Sequence, residues 1–325
     1  MPTVSVIIPT YNRALIIKDA IQSVLNQTYS DYEIIVVDDG STDNTSNVIN
    51  DMRSHSGKVR YIYQENKGRS AARNIGIRAA RGDYVAFLDS DDMFLSEKLR
   101  VQLMTLENNL DFGMAYSPAL IMDRHGNISE DINQGREKLA GWIYPELLFI
   151  KKNIITIPSV MVRKRILNKI GGFDESMHIC EDLDLWRRIA MNHQILQMNE
   201  PVAIIRHGMN ESLDLLGYLE ARTLYYYKAF ADDPDLKKVL QKRLFSEMYY
   251  YYGVLAATNK RNRLSHQLFV RSMKSNMLQF LRCSREHCWG LTCFKLSRIL
   301  QHCLSSESFD RIRLIYRRLI RHRTR

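Results

Sequence analysis

Tyr84-Val85-Ala86-Phe87-Leu88-Asp89-Ser90-Asp91-Asp92 is the stretch on which the reading of this chain turns. A mostly apolar run, β-branched or aromatic in three places, meets three carboxylates within four positions. Near-continuous apolarity over that length reads as a strand buried on both faces, as in a parallel sheet. Its acidic end then emerges at the carboxyl edge, where open α/β folds bind ligands. Carboxylates this close repel one another unless they share a divalent cation. Oxygen ligands suit Mg2+ or Mn2+, especially when a substrate phosphate completes the shell. The alternative is local: Ser90 or Asp91 caps a helix beginning near Ser96, with the other acids solvated.

Outward from this stretch the pattern repeats. Val4–Pro9 and Glu33–Asp39 are two further buried strands, the second again ending in acids, and Val59–Tyr63 is a strand by alternation. Helical spacing over 15–27, a helix from a cap at Ser41 or Thr42 through Met52, and a helix over Ser70–Ala80 separate them. Strand and helix alternate four times at crossover spacing, which predicts a parallel sheet with right-handed connections. Past Asp92 the spacing predicts a helix through Leu110, a short strand near 114–122 and an irregular insertion over 123–153 suited to an acceptor-binding loop. A strand over Ile157–Val162, a helix over Lys164–Ile170 stopped by Gly171-Gly172, a helix over Leu183–Met191 and one extended segment over Ile195–Arg206 follow.

From about Leu215 the chain reads as helical, tyrosine-rich and basic, so two domains are expected, 1–214 and 215–325. Charge divides there as well. Residues 220–325 hold 22 Lys+Arg against 8 Asp+Glu, leaving 24 basic and 28 acidic residues for the rest of the chain. Clusters Tyr225–Tyr227 and Tyr249–Tyr252 put some rings in the core and others out, with hydroxyls at a wet boundary. In 309–323, Phe309, Ile312, Ile315, Tyr316, Leu319 and Ile320 make an apolar stripe beside Arg311, Arg313, Arg317, Arg318 and Arg321. Such a helix suits an anionic membrane, with packing on the preceding helices as the alternative. No recognised nucleic-acid reading motif accompanies the basic residues, so nucleic acid is not expected as a partner.

At 325 residues, with 45% hydrophobic and 25% charged content, the composition is that of an ordinary soluble protein. No apolar run approaches the roughly 18 residues of a bilayer span, and the N-terminus does not read as a secretory signal. Five cysteines are too few for a disulfide framework, and the spacing Cys283, Cys288, Cys293 does not match the usual zinc patterns. A reducing, cytoplasmic setting is expected, peripheral on the inner face of the cytoplasmic membrane if the basic region docks there.

Three acidic sites fall at strand ends or a helix start: Asp38/Asp39, Asp89/Asp91 and Glu181/Asp182. Asp39 can accept from a base N–H beside the ring of Tyr11, and Arg69 and Arg73 sit at a helix start, a position that favours anions. That is a set for a nucleoside diphosphate. Each member also has an ordinary reading, Asp39 as a turn former and Arg73 as an exposed helical cation. His207, after the last strand, is a candidate additional metal ligand or else a solvated loop histidine.

In order and spacing, PTYN at 9–12, VVDDGSTD at 36–43, NKGRSAARNIG at 66–76, GDYVAFLDSDD at 82–92, GGFDE at 171–175 and EDLDLWRR at 181–188 resemble glycosyltransferase family 2. The resemblance covers residues 1 to about 210. It implies an inverting enzyme on the GT-A fold, an α/β architecture with a Rossmann-like, mostly parallel sheet, here followed by an all-α basic extension. It implies a nucleotide-diphosphate sugar, UDP-linked, as donor and a glycan or lipid-linked hydroxyl as acceptor, as in cell-surface polysaccharide synthesis. By position, Asp39 would hold the base beside Tyr11, within donor contacts that include Pro9, Asn12, Arg69, Arg73, Ser90 and Glu181. Asp89 and Asp91 would form the DxD motif, Asp91 on a Mn2+ or Mg2+ ion and Asp89 near the ribose. Asp182 would be the catalytic base, with Glu181 its rival and Asp184 a residue of the helix surface. The QxxRW motif and membrane helices of processive members are absent, which implies transfer of single sugars. The competing classes are a nucleotidyltransferase, which should carry a Gly-rich loop with lysine where PTYNRA stands, and a non-catalytic nucleotide-sugar or carbohydrate binder.

Overall fold

β1 (Val4–Thr10) and β2 (Tyr32–Asp38) are buried at every position, because both faces of the sheet they join are covered. The computed structural model describes residues 1–129, 139–149, 155–206 and 214–287. In chain order, α1 (Ile17–Leu25) joins β1 to β2. Then come α2 (Thr45–His55), β3 (Val59–Tyr63), α3 (Arg69–Ala79), β4 (Tyr84–Phe87), β5 (Met93–Phe94), α4 (Lys98–Glu107) and β6 (Phe112–Tyr116). β7 (Ala119–Met122), β8 (Ile128–Ser129), β9 (Val160–Arg163), α5 (Lys164–Ile170), α6 (Glu181–Ala190), β10 (Gln194–Gln197) and β11 (Ala203–Arg206) complete the sheets. Four helices follow: α7 (Leu215–Asp232), α8 (Pro234–Thr258), α9 (Asn262–Ser275) and α10 (Met277–His287).

The main sheet has seven strands in the order β10-β6-β9-β4-β1-β2-β3. Neighbours run parallel except β9, which is antiparallel to both β4 and β6. The mostly parallel α/β sheet is therefore present, with one reversed strand that alternation in the sequence does not betray. Successive residues feed opposite cores. Val6 and Ile8 of β1 pack with Ile21 and Ile49 on one side, while Ile7 packs with Ala72, Phe87 and Trp186 on the other. A one-residue slip would exchange the two cores, so burial fixes the register.

Four boundaries differ from expectation, with prolines at three of them. The expected strand near 114–122 is two strands, split at Ser117-Pro118, and the single segment over 195–206 is two, split around Pro201. In each case one half stays in the main sheet and the other joins a second sheet of order β5-β11-β7-β8. A residue without an N–H cannot continue a ladder, which permits the change of sheet. The helix expected from Asp92 is preceded by β5, whose two residues pair antiparallel with Ala203 and Ile204 of β11, a long-range contact that overrides local helical spacing. Pro158 likewise opens the 157–162 segment as a 3-10 turn before β9.

Two compact units emerge, Met1–Ala229 and Phe230–Arg325, so the sheet unit takes in most of α7. In that unit the hydroxyls of Tyr225 and Tyr226 donate to the carbonyls of Leu147 (3.2 Å) and Leu148 (3.0 Å), inside the fold rather than at a wet boundary, while Tyr227 faces out. In the second unit, Tyr250, Phe269, Met273, Phe280 and Cys283 form the core of α8, α9 and α10. Among the described residues no helix is long and apolar enough to cross a membrane. The amphipathic stretch 309–323, Cys288, Cys293, Cys303, His207 and parts of the 123–153 insertion lie outside the described residues.

Candidate active site

β1, β2 and β4 run parallel, so Thr10, Asp38-Asp39 and Asp89 leave the sheet at the same edge. Above that edge lies a cavity of about 580 Å3, lined by Pro9, Thr10, Tyr11, Arg13, Asp39, Asn66, Gly68, Arg69, Arg73, Asp89, Ser90, Asp91, Asp92, Ile205 and Arg206. Four arginines and four aspartates surround one opening.

The Asp39 corner is built by the loop before α3. Asp39 is buried, and its carboxylate accepts from Gln64 Nε2 (2.5 Å) and from the amides of Lys67 (2.8 Å) and Gly68 (2.9 Å). A carboxylate offers about four lone-pair sites, so one remains for a ligand donor. Gly40 makes the approach possible: its φ is +83°, and a Cβ there would lie 2.8 Å from the amide nitrogen of Asn66. Tyr11 is 46% exposed beside this corner. Asn12, expected among the donor contacts, is turned elsewhere and is not on the cavity wall. Its Oδ1 accepts from the amides of Thr42 (2.8 Å) and Asp43 (3.3 Å), which ties the β1 loop to the turn after β2.

Asp89, Asp91 and Asp92 line the same cavity. Burial and the charge of Asp89 raise the Asp91 carboxyl, with Arg13, 3.6 Å away, pulling the other way. Burial, Asp89 and Asp91 together hold Asp92 well above the usual range, although the amide of Arg206 donates to it at 3.0 Å. Burial and neighbouring carboxylates thus leave Asp91 and Asp92 favoured by added positive charge. The hard oxygens of Asp89 and Asp91 are of the kind that could hold a divalent cation together with substrate phosphates. Among the described residues no three His, Cys, Asp or Glu side chains are gathered for an ion.

Arg73 is the pivot. It is 1% exposed, donates from Nη1 to Glu181 Oε1 (2.9 Å) and from Nη2 to Asp89 Oδ1 (2.6 Å), and is not the exposed helical cation that spacing alone allows. Burial would lower its pKa, but Asp89 and Glu181 overcome that and raise it. Arg69 backs Glu181 at 3.4 Å and donates to the carbonyl of His178 at 3.1 Å.

Glu181 and Asp182 open α6, just after Cys180 in left-handed conformation (φ 64°). Neither lines the cavity. Burial, then the charge of Glu181, pushes the Asp182 carboxyl up to about 6, against the Leu183 amide and Arg73. Asp184 is not the surface residue expected: it is 1% exposed and pairs with Arg187 (2.8 Å) and Arg188 (2.7 Å). Helical spacing of three and four supplies two guanidiniums, which is what lets the carboxylate go inside. Arg13, Asn66 and Arg206 escaped the sequence reading, and Asp92, counted there in the acidic triplet, was given no role of its own. Arg13 directly follows PTYN, whereas nothing local marks Arg206, which reaches the site only because β11 ends there.

Comparison with known proteins follows the same outline. The family model described as Glycosyl transferase family 2 matches residues 5–171. An uncharacterized glycosyltransferase of Rickettsia felis is 35% identical over 213 residues, 65% of this chain and 34% of the relative. Chondroitin synthase of Escherichia coli is 32% identical over 221 residues, 66% of this chain and 31% of that protein. The chain spans about a third of the length of the first Rickettsia relatives it matches. S. aureus TarS 1-349 in complex with UDP-GlcNAc superposes with TM-score 0.62 at 19% identity, covering 85% of this chain and 81% of that one. Mannosyltransferase PcManGT from Pyrobaculum calidifontis, in complex with GDP-Man and Mn2+, gives 0.57 at 15% identity over 98% and 85%. The two structures share the fold.

Proposed function

The chain belongs to glycosyl transferase family 2, and on that premise we propose that it moves a single sugar, with inversion, from a UDP-sugar to a hydroxyl of a glycan or lipid-linked acceptor. The observation that carries this reading is the division of labour among the acids. One set faces the cavity, and a separate carboxylate with a pKa near 6 stands off its wall.

Asp39 takes the base N–H with its remaining lone pair, and Tyr11 offers a face for stacking. Arg13, Arg69 and Arg206 set positive charge around the diphosphate. Asp91 and Asp89 would hold a divalent cation, Mn2+ or Mg2+, which when bound would supply charge stabilisation to the leaving diphosphate. Inversion requires attack from the side opposite the leaving group, so the base is a carboxylate other than those facing the diphosphate, and we assign the role to Asp182. Its carboxylate takes the acceptor's proton while the acceptor oxygen bonds to the anomeric carbon and the bond to the diphosphate breaks. With a pKa near 6, Asp182 is ionised at neutral pH and still more basic than an exposed aspartate. The complex of TarS with UDP-GlcNAc supports a uridine donor, and chondroitin synthase supports a glycan acceptor.

We further read the basic helical region as a docking surface for anionic membrane at the cytoplasmic face. In support, residues 259–285 contain seven Lys and Arg and no acid.

UDP release from a panel of UDP- and GDP-sugars, with and without Mn2+ or Mg2+, tests the assignment. Release from a UDP-sugar that requires the cation and falls by about 10²-fold or more in Asp182→Asn is expected. Release that ignores both the cation and Asp182 would overturn it.

A further inference from the structure

We propose that Arg73 is a positioning residue. One guanidinium fixes the spacing between Asp89 at the donor end and the α6 start at the acceptor end. It also commits Glu181 to structure and leaves Asp182 as the carboxylate free to take a proton. The proposal rests on the transferase reading.

A fully buried arginine must be matched by carboxylates, and breaking a buried pair strands a charge. Here the match comes from two elements far apart in sequence, Asp89 after β4 and Glu181 at the start of α6. The planar fork presents two donors in fixed directions, whereas a lysine presents a single point charge on a flexible stem. Phe173 packs under the guanidinium, its ring centroid 5.2 Å from Cζ, so the fork is held from a third side. The helix that carries Arg73 also grips the segment leading to α6. Asn74 exchanges hydrogen bonds with the backbone of Phe173 (2.9 and 2.8 Å), and Ser70 donates to the carbonyl of Met177 at 3.1 Å.

Arg73 commits one N–H of each Nη to a protein carboxylate while standing on the cavity wall. Glu181, 4% exposed and held by Arg73 and Arg69, is equally committed. Its neighbour Asp182 has no ion pair among the described residues, its Oδ1 accepting only from the Leu183 amide at 2.8 Å. The arginine thereby settles which of two adjacent acids is the base.

The test compares R73K, R73Q, E181Q and the double variants in the full chain, by kcat and KM for a UDP-sugar with Mn2+, UDP affinity and thermal unfolding. R73K keeps a charge but cannot span both partners. Its kcat should fall about 10²-fold, the scale of a misplacement near 1 Å, with donor KM and UDP affinity within about threefold of wild type. R73Q/E181Q should turn over at least about tenfold faster than R73Q, because the stranded carboxylate is gone. If R73Q does not fold, R73K/E181Q against R73K makes the same comparison. Wild-type kcat in R73K, or a donor KM that rises as far as activity falls, would overturn the proposal. Coupling is also read without turnover. Unfolding effects of R73K and E181Q should be clearly non-additive, and additivity within error would dismiss the bridge. A chain that shows the coupling but releases UDP from no donor refutes the transferase reading, not the bridge.

Discussion

Replacing Glu181 by Gln should shift the pH dependence of transfer toward acid, and the size of the shift can be worked from the site. Asp182 is raised to about 6 by burial and then by the charge of Glu181. A base must be deprotonated, so the rate should climb as pH rises through that value and level off above it. With a pKa of about 6, roughly one Asp182 in eleven is ionised at pH 5 and roughly ten in eleven at pH 7, about a tenfold rise in rate. Glu181→Gln removes the second-largest cause of the elevation, so the pH 7 to pH 5 ratio should contract well below ten. Initial rates of UDP release at saturating donor and fixed Mn2+, from pH 4.5 to 8, measure both curves. Stability supplies a check of opposite sign. A carboxyl raised in the folded state binds more protons than the unfolded chain between about 4 and 6, so its contribution is lost as pH rises through about 6. That slope should also flatten in Glu181→Gln. An acid limb unchanged by Glu181→Gln, or one that persists in the residual activity of Asp182→Asn, would refute the reasoning.

Asp91→Asn should abolish cation-dependent UDP binding, measured by calorimetry, while full wild-type activity in excess chelator would count against the cation. Asp184→Asn breaks a buried cluster with Arg187 and Arg188 and should cost about 3–5 kcal/mol in denaturant unfolding; a loss below about 1 kcal/mol would mean the arginines are hydrated. Vesicles rich in anionic lipid should sediment the full chain at low salt and release it as salt screens the attraction, and a chain ending at Ser305 should bind much less with UDP release intact. Equal binding by both would place the contact elsewhere.

Much of the sheet was legible because burial on two faces leaves continuous apolar runs such as Ile34–Val37, and acids at the ends of such runs mark the ligand edge. Strand direction and sheet membership were not, since β9 reverses and β11 changes sheet through pairings that leave no local trace. The same limit governs the site. Asp39, Asp89 and Asp91 stand at strand ends and can be read from one dimension. The burial of Arg73 and Asp184 cannot, because a charged residue on a helix looks solvated until its partners are known. Asp184 finds them on its own helix, but Arg73 finds Glu181 more than a hundred residues away. Arg206 shows the extreme, a wall residue placed only by the path of the last strand.

The most direct measurement of the central claim is the anomeric configuration of the sugar released when water replaces the acceptor. An α-linked UDP-sugar is incubated with the protein and Mn2+ and followed by NMR before mutarotation equalises the anomers. Single displacement with Asp182 as base predicts that the β-anomer appears first and that Asp182→Asn loses the signal. First appearance of the α-anomer, or an unchanged rate in Asp182→Asn, would contradict the account.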